Sequence, residues 1–204
     1  MLCAAGGIGE IMLNIAVFAS HGGSDLQAII DGCKSGKINA EVALVISNNS
    51  DSMALQRARN ENIDCYHISG AIIPDEDELN NKILELLESH NIDIIFLAGY
   101  MKKIGIPILK KYENMIFNIH PALLPKFGGK GMYGINVHTA VIEAKEKVTG
   151  VTVHRVNGEY DAGDIIAQTT VDVLENDTPE ILAQRVLERE HTFLVEVIND
   201  IISG

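Results

Sequence analysis

An α/β fold with a doubly wound, mostly parallel sheet is what this sequence predicts, and three observations carry the prediction. Short apolar runs alternate with stretches of helical spacing from residue 14 to residue 120. The runs at 93–98 (DIIFLA) and 115–120 (MIFNIH) have few polar interruptions, as expected for strands covered on both faces. Beyond them the pattern changes: two adjacent strand-like runs predict an antiparallel C-terminal part, and a long helix closes the chain.

In order, residues 14–19 are an apolar first strand, followed by the loop SHGGSD and the helical stretch LQAIIDGCKSG. EVALVIS at 41–47 is a second strand, closed by the turn-forming NNSDS. Residues 53–61 suit a helix and 65–68 a short strand. The segment 75–90 (DEDELNNKILELLESH) is the clearest helix, acidic at its start and apolar at 79, 83, 84, 86 and 87. After the strands at 93–98 and 115–120 come a Gly-rich loop, KFGGKGMYG, and a helix near 137–147. The runs 150–156 and 164–173 flank NGEYDAG, and 178–202 forms the terminal helix, with Thr178 as its cap and Pro179 at its first position. Right-handed crossovers are the default for such a chain, and the arrangement is Rossmann-like.

The 204 residues suffice for a substantial core. A formal charge of −12 argues against a general binder of nucleic acid or anionic membranes. No apolar run approaches the roughly 18 residues of a membrane span. Cys3, Cys33 and Cys65 are an odd number without metal-like spacing, so a reduced, cytoplasmic compartment fits and no metal is expected. Residues 1–11 lack a basic n-region and a long apolar core, and make a poor signal peptide. Met12 followed by LNIAVFAS reads as an original start, with 1–11 an appended extension and 12–204 one domain. Gly7 and Gly9 precede a strand rather than follow one, which fails as a dinucleotide fingerprint.

The chemistry concentrates at strand ends. In FNIHPALLP, Asn118 and His120 stand two residues apart and so share one face of a strand. Pro121 then ends the ladder. In an open parallel sheet, ligands gather at the carboxyl ends of strands, where this pair, the SHGGSD loop and residues 99–104 all fall. Gly22 and Gly23 allow close approach to a ligand, and the helix beyond offers unpaired N–H groups to an anion. The plainer alternative is a tight turn with Ser24 or Asp25 as N-cap. No Walker lysine follows, so nucleoside triphosphate hydrolysis is not expected. Asp161, in NGEYDAGD, is either a partner for His120 or a turn aspartate ahead of Gly163. His67, His90 and His154 have no local companion that singles them out. Asn, His and Asp together suit amine acylation without a covalent intermediate: an amide donates to an oxyanion, an imidazole donates or passes a proton, and a carboxylate raises the imidazole pKa. No Ser or Cys has a setting for a nucleophilic triad.

The set SHGGSDLQAIID, LAGYMKKI, FNIHPALLPKF and EYDAGDII resembles phosphoribosylglycinamide formyltransferases of the formyltransferase family, from about residue 12 to the terminal helix. The combination N-x-H-P-x-L-L-P with a later D-x-G loop is specific; the Gly-rich loop alone is not. The resemblance implies an α/β formyltransferase domain over 12–204. It also implies transfer of the formyl group of 10-formyltetrahydrofolate, as co-substrate, to the amine of glycinamide ribonucleotide in purine biosynthesis. Asn118, His120 and Asp161 would be catalytic, and loss of one oxyanion donor would cost roughly 3–4 kcal/mol. Gly23, Ser24 and Asp25 would hold the phosphoribosyl group. Met101, Lys102, Lys103 and Ile104, with Asn157, Gly158, Glu159, Tyr160 and Asp161, would line the pterin pocket beside Asn118. Glu190, in REHTF, would bind the glycinamide substrate; without the resemblance it reads as a solvated helix carboxylate.

The chain departs from the family in places. Asp25 stands where asparagine is usual, His21 where glycine is common, and Lys102 in place of a frequent arginine, which loses the planar fork and keeps the charge. Lys102, Lys103, Lys126 and Lys130 either supply a local positive field for anionic substrates or are a solvated surface. The rival enzyme is 10-formyltetrahydrofolate hydrolase, whose family usually carries a regulatory domain that eleven residues before Met12 cannot form. A methionyl-tRNA formyltransferase would need a C-terminal RNA-binding domain and a basic surface. A silent binder of sugar phosphate or folate is the remaining alternative. A homodimer is compatible with the sequence.

Overall fold

The computed structural model describes residues 12–204; the proposed extension at 1–11, with Cys3, Gly7 and Gly9, lies outside the described residues. Seven strands form one sheet in the order β3-β2-β1-β4-β5-β6-β7. They are β1 (Leu13–Phe18), β2 (Ala40–Ser47), β3 (Asp64–His67), β4 (Ile94–Leu97), β5 (Ile116–His120), β6 (Val148–Arg155) and β7 (Ile165–Asp172). The first five pair in parallel, and β6 runs antiparallel to both β5 and β7. The Rossmann-like α/β expectation, with its antiparallel C-terminal part, therefore holds.

Helices α1 (Ser24–Lys34), α2 (Met53–Asn60), α3 (Glu76–Ser89), α4 (Ile106–Lys111), α5 (Ile135–Glu143) and α6 (Pro179–Ser203) complete the fold. Two apolar layers, one per sheet face, explain why the central strands read as nearly continuous hydrophobic runs. Ile15 and Val17 belong to one layer, with α1 and α6, and Ala16 and Phe18 to the other, with α3 and α4. Asn62, Asn91 and Asn114 take left-handed backbone as the chain leaves a helix for the next strand, a conformation asparagine tolerates better than most residues.

Two local expectations change. Helix α4 was not foreseen: six residues, IPILKK, with proline in the first turn, are too short to show a period. The helix expected at 137–147 ends at Glu143, because Lys145 turns left-handed at φ 53°, and β6 starts at Val148. Thr178 caps α6 as expected, its hydroxyl accepting the Ile181 N–H.

After β1 the chain moves to β2 and β3 on one side; it then returns to β4 on the other. Neighbouring β1 and β4 thus send their following loops in opposite directions, which opens a crevice at their carboxyl ends. Ser20 ties the two loops together. Its N–H donates to the Gly99 carbonyl at 3.2 Å, its hydroxyl accepts the Met101 N–H at 2.8 Å, and that hydroxyl donates to Asn48 Oδ1.

Candidate active site

A cavity of about 800 Å3 lies at this crevice. Its wall contains Gly23, Ser24, Asp25, Met101, Lys102, Lys103, Ile104, Asn118, His120, Gly158, Glu159, Tyr160, Asp161 and Glu190. Of the residues singled out in the sequence for catalysis or binding, Asn157 alone lies outside this wall. It lines a second cavity of about 660 Å3, which shares Lys102–Ile104 and Gly158–Glu159 with the first.

At its centre, the edge of β5 presents Asn118 and His120, and the loop between β6 and β7 returns Asp161 to them. The D-x-G spacing has a steric cause: a Cβ on Gly163 would stand 1.8 Å from the Arg155 carbonyl oxygen, so only glycine lets the loop close on β6 there. Asp161 itself has φ 53°. Its side chain is 11% exposed, and its Oδ2 accepts the Gly129 N–H at 2.8 Å and lies 3.6 Å from His120 Nδ1. Its Oδ1 accepts an Asn118 amide N–H at 3.2 Å. Burial alone would raise this carboxyl; the His154 and His120 rings when they carry a second proton, and the Gly129 N–H, outweigh it and hold the pKa below the usual value.

His120 is 3% exposed, and its Nε2–H donates to the Phe127 carbonyl at 2.8 Å. A carbonyl can only accept, so that bond fixes the proton on Nε2 and leaves Nδ1 as the nitrogen free to react. Burial lowers the His120 pKa, and Asp161 opposes this without reversing it. The ring is therefore mainly neutral near pH 7, with its lone pair directed towards the carboxylate side.

Sequence reasoning passed over two further imidazoles. His154, 1% exposed, pairs across the ladder with Asn118. Its Nδ1–H donates to the Arg155 carbonyl at 2.8 Å, so in the neutral ring Nε2 accepts the second Asn118 amide N–H at 3.0 Å. The 3.4 Å separation of His154 Nε2 from Asp161 Oδ1 is then a contact, not a second bond. The signal was present in GVTVHR, where Thr152 and His154 alternate with the core residues Val151 and Val153. His138 on α5 also faces the cavity; burial, with His120 nearby, pushes its pKa down to about 4.

At the other end, neither Ser24 nor Asp25 caps α1. Gly23 holds the N-cap position at φ 66°, and a Cβ there would sit 2.8 Å from Ala54. The first-turn N–H groups consequently open towards the cavity. Asp25 Oδ1 lies 3.5 Å from His191 Nε2 with no hydrogen bond between them, and Glu190 is 6% exposed. Burial, then the Asp25 charge, raises the Glu190 pKa well above the ordinary value; burial likewise raises that of Asp25, against the pull of His191. Of the four lysines, Lys102, Lys103 and Lys130 line the cavity, Lys103 also pairs with Glu159 at 3.5 Å, and Lys126 pairs with Glu146.

The carboxyl end of β5 in this open α/β sheet thus carries an amide and an imidazole, with a carboxylate brought to them from the loop between β6 and β7. The formyl transferase model matches residues 13–198, and the chain belongs to that family. Within it, the chain is similar to the chloroplastic phosphoribosylglycinamide formyltransferase of Arabidopsis thaliana (44% identity over 188 residues, 92% of this chain and 64% of that protein). It is also similar to the phosphoribosylglycinamide formyltransferase of Haemophilus influenzae (37% identity, 95% of this chain and 89% of that protein). The crystal structure of glycinamide ribonucleotide transformylase 1 from Symbiobacterium toebii superposes with a TM-score of 0.88 at 40% identity, over 95% of this chain and 89% of that one. The chain thus spans just under two thirds of the length of the plant relative.

Proposed function

We propose that this chain transfers the formyl group of 10-formyltetrahydrofolate to the primary amine of glycinamide ribonucleotide. The observation that carries the reading is the contact of Asn118, His120 and Asp161 at the edge of the crevice, where two cavities adjoin. Each cavity has the size of a small-molecule site, which suits a reaction with two substrates.

The amine nitrogen attacks the formyl carbon, and the carbonyl oxygen takes up the electron pair as an oxyanion. Asn118 donates to that oxygen by exchanging the Asp161 bond, while His154 keeps the amide aimed. His120 Nδ1 accepts the proton released by the attacking nitrogen and passes it to the departing folate nitrogen as the C–N bond breaks. Asp161, 3.6 Å away, holds the transient imidazolium. The open N–H groups of α1, with Gly23 and Ser24, receive the phosphoribosyl group. Asp25 and Glu190 face its aminoacyl end. Met101–Ile104 and Asn157–Asp161 hold the folate, with Lys102 and Lys130 offsetting the acidic chain. Both partners are small molecules, and the co-substrate is the only cofactor this chemistry needs. Among the described residues no helix is long and apolar enough to cross a membrane.

The test is release of tetrahydrofolate from 10-formyltetrahydrofolate with and without glycinamide ribonucleotide. Turnover that requires the ribonucleotide is expected. Equal turnover in its absence would mean hydrolysis, and no turnover in either case would leave a binder.

A further inference from the structure

Among the buried titratable groups, one imidazole has no part in the chemistry above. His138 lies on the inward stripe of α5 with Val137 and Val141, where a helix against a core calls for an apolar side chain. It is 5% exposed, and neither ring nitrogen has a hydrogen-bond partner among the described residues. The two nitrogens differ in access. Nδ1 is sealed from the surface, whereas Nε2 is the nitrogen that the ring keeps open to the cavity it lines. An apolar side chain of the same size would avoid the cost of the sealed nitrogen.

The sealed Nδ1 also fixes the state of the ring. A second proton would sit there without an acceptor, and near His120, whose own charge would oppose it. The ring is therefore neutral, with its proton on Nε2, and it meets the cavity as a donor. Its place follows from the helix. Helical side chains lean towards the N-terminus, so the ring stands over the first turn, whose Gly134 and Ile135 line the same cavity. Helix α5 packs against α6, which brings Leu187 and Glu190 to that cavity. The wall that holds His138 thus joins the side of Glu190 to the side of His120.

We infer that the Nε2–H of His138 donates to the carboxamide oxygen of the ribonucleotide's aminoacyl arm, and so orients its amine for attack on the formyl carbon. This rests on the functional reading above. The arm passes from the Glu190 side to His120, and its carboxamide oxygen is the acceptor that a neutral N–H donor fits. The amine itself needs its lone pair for attack, and the formyl oxygen is served by Asn118 on β5. One hydrogen bond at the carboxamide limits rotation of the arm and keeps the amine aligned. A neutral ring does this without adding a positive charge near His120, which must take up the proton. The residue therefore selects acceptors that carry a carbonyl beside the aminomethyl group over simple amines.

His138→Leu keeps the bulk of the side chain and removes both nitrogens. In steady-state assays of the full chain, kcat/KM for glycinamide ribonucleotide should fall about tenfold or more. The KM for 10-formyltetrahydrofolate should not move, and the thermal midpoint should stay level or rise, because a sealed partnerless nitrogen is gone. A kcat/KM within about threefold of wild type would overturn the inference. Should His138→Leu fold poorly, two amides decide. Gln carries its N–H to the place of Nε2 and should restore most of the activity, while Asn reaches only the place of Nδ1 and should not. Rescue by both, or by neither, would refute the role given to Nε2. A ribonucleotide with CH2 in place of the carboxamide carbonyl identifies the acceptor: wild type should use it about tenfold less well than the parent, and His138→Leu should treat the two alike. An equal preference in both proteins would refute the contact. If wild type transfers no formyl group at all, the functional reading fails on its own. Calorimetric binding of glycinamide ribonucleotide to wild type and His138→Leu then still decides the role of His138. Weaker binding to the variant supports it, and equal affinity, or no binding to either, overturns it.

Discussion

Asp161→Asn tests the centre of the proposed mechanism. The carboxylate stands 3.6 Å from His120 Nδ1, with the two side chains 11% and 4% exposed. Two unit charges at that separation attract by roughly 4–5 kcal/mol at an effective dielectric constant of about 20. That is the ceiling on what Asp161 contributes once His120 has taken up a proton. With the imidazolium only partly developed in the transition state, a loss of about 3–4 kcal/mol is expected, or roughly 10²–10³-fold in kcat. The sign of the pH effect is also fixed. Asp161 pulls the His120 pKa upward against burial, so removing the charge lets that pKa fall. If neutral His120 is the acceptor, kcat/KM declines on the acid side, and in the variant that decline moves to lower pH while the plateau drops. The amide also meets either the Gly129 N–H or the Asn118 N–H donor to donor, so a stability loss of about 1–3 kcal/mol accompanies the change. Thermal denaturation beside a pH–rate profile separates the two effects. A plateau within threefold of wild type, or an acid limb that does not move, would refute the reasoning.

Two further outcomes follow from the same geometry. Glu190 has a raised pKa in the fold, so its neutral form is favoured there, and the associated stability is present at low pH and lost as pH rises through the folded value. Glu190→Gln should flatten this decline in thermal midpoint with rising pH while raising the KM for the ribonucleotide about tenfold; an unchanged KM would remove Glu190 from the site. Gly23→Ala places a methyl 2.8 Å from Ala54 on backbone at φ 66° and should cost roughly 2–4 kcal/mol. A urea midpoint equal to that of wild type would contradict it.

The fold was legible because parallel strands buried on both faces leave unbroken apolar runs, and the clearest helix shows its period over fourteen residues. Helix α4 was not, since six residues cannot display one. Asn118 and His120 were legible as a pair because strand geometry alone puts them on one face. Their partners were not: His154 reaches Asn118 through ladder register, and Asp161 through the closure of a loop on Arg155. Helix α3 departs from its expected stripe at one place. The helix period was read from Leu79, but it is Asn80 that the fold buries, and a polar residue at that position breaks the pattern it belongs to.

The ladder between β6 and β7 is irregular where it passes the site: Val153 faces Ala167 and His154 faces Ile165, so Ile166 is one residue more than the pairing needs. Asn118 meets His154 through β5 and β6 alone. Loss of Ile166 would regularise the outer hairpin and leave that meeting intact. Loss of one residue within β6 would turn every side chain beyond it to the opposite face and carry the imidazole away from the amide. Insertions and deletions among chains descended from a common ancestor should accordingly collect in β7 and spare β6, a record of the reaction kept in strand lengths instead of residue types.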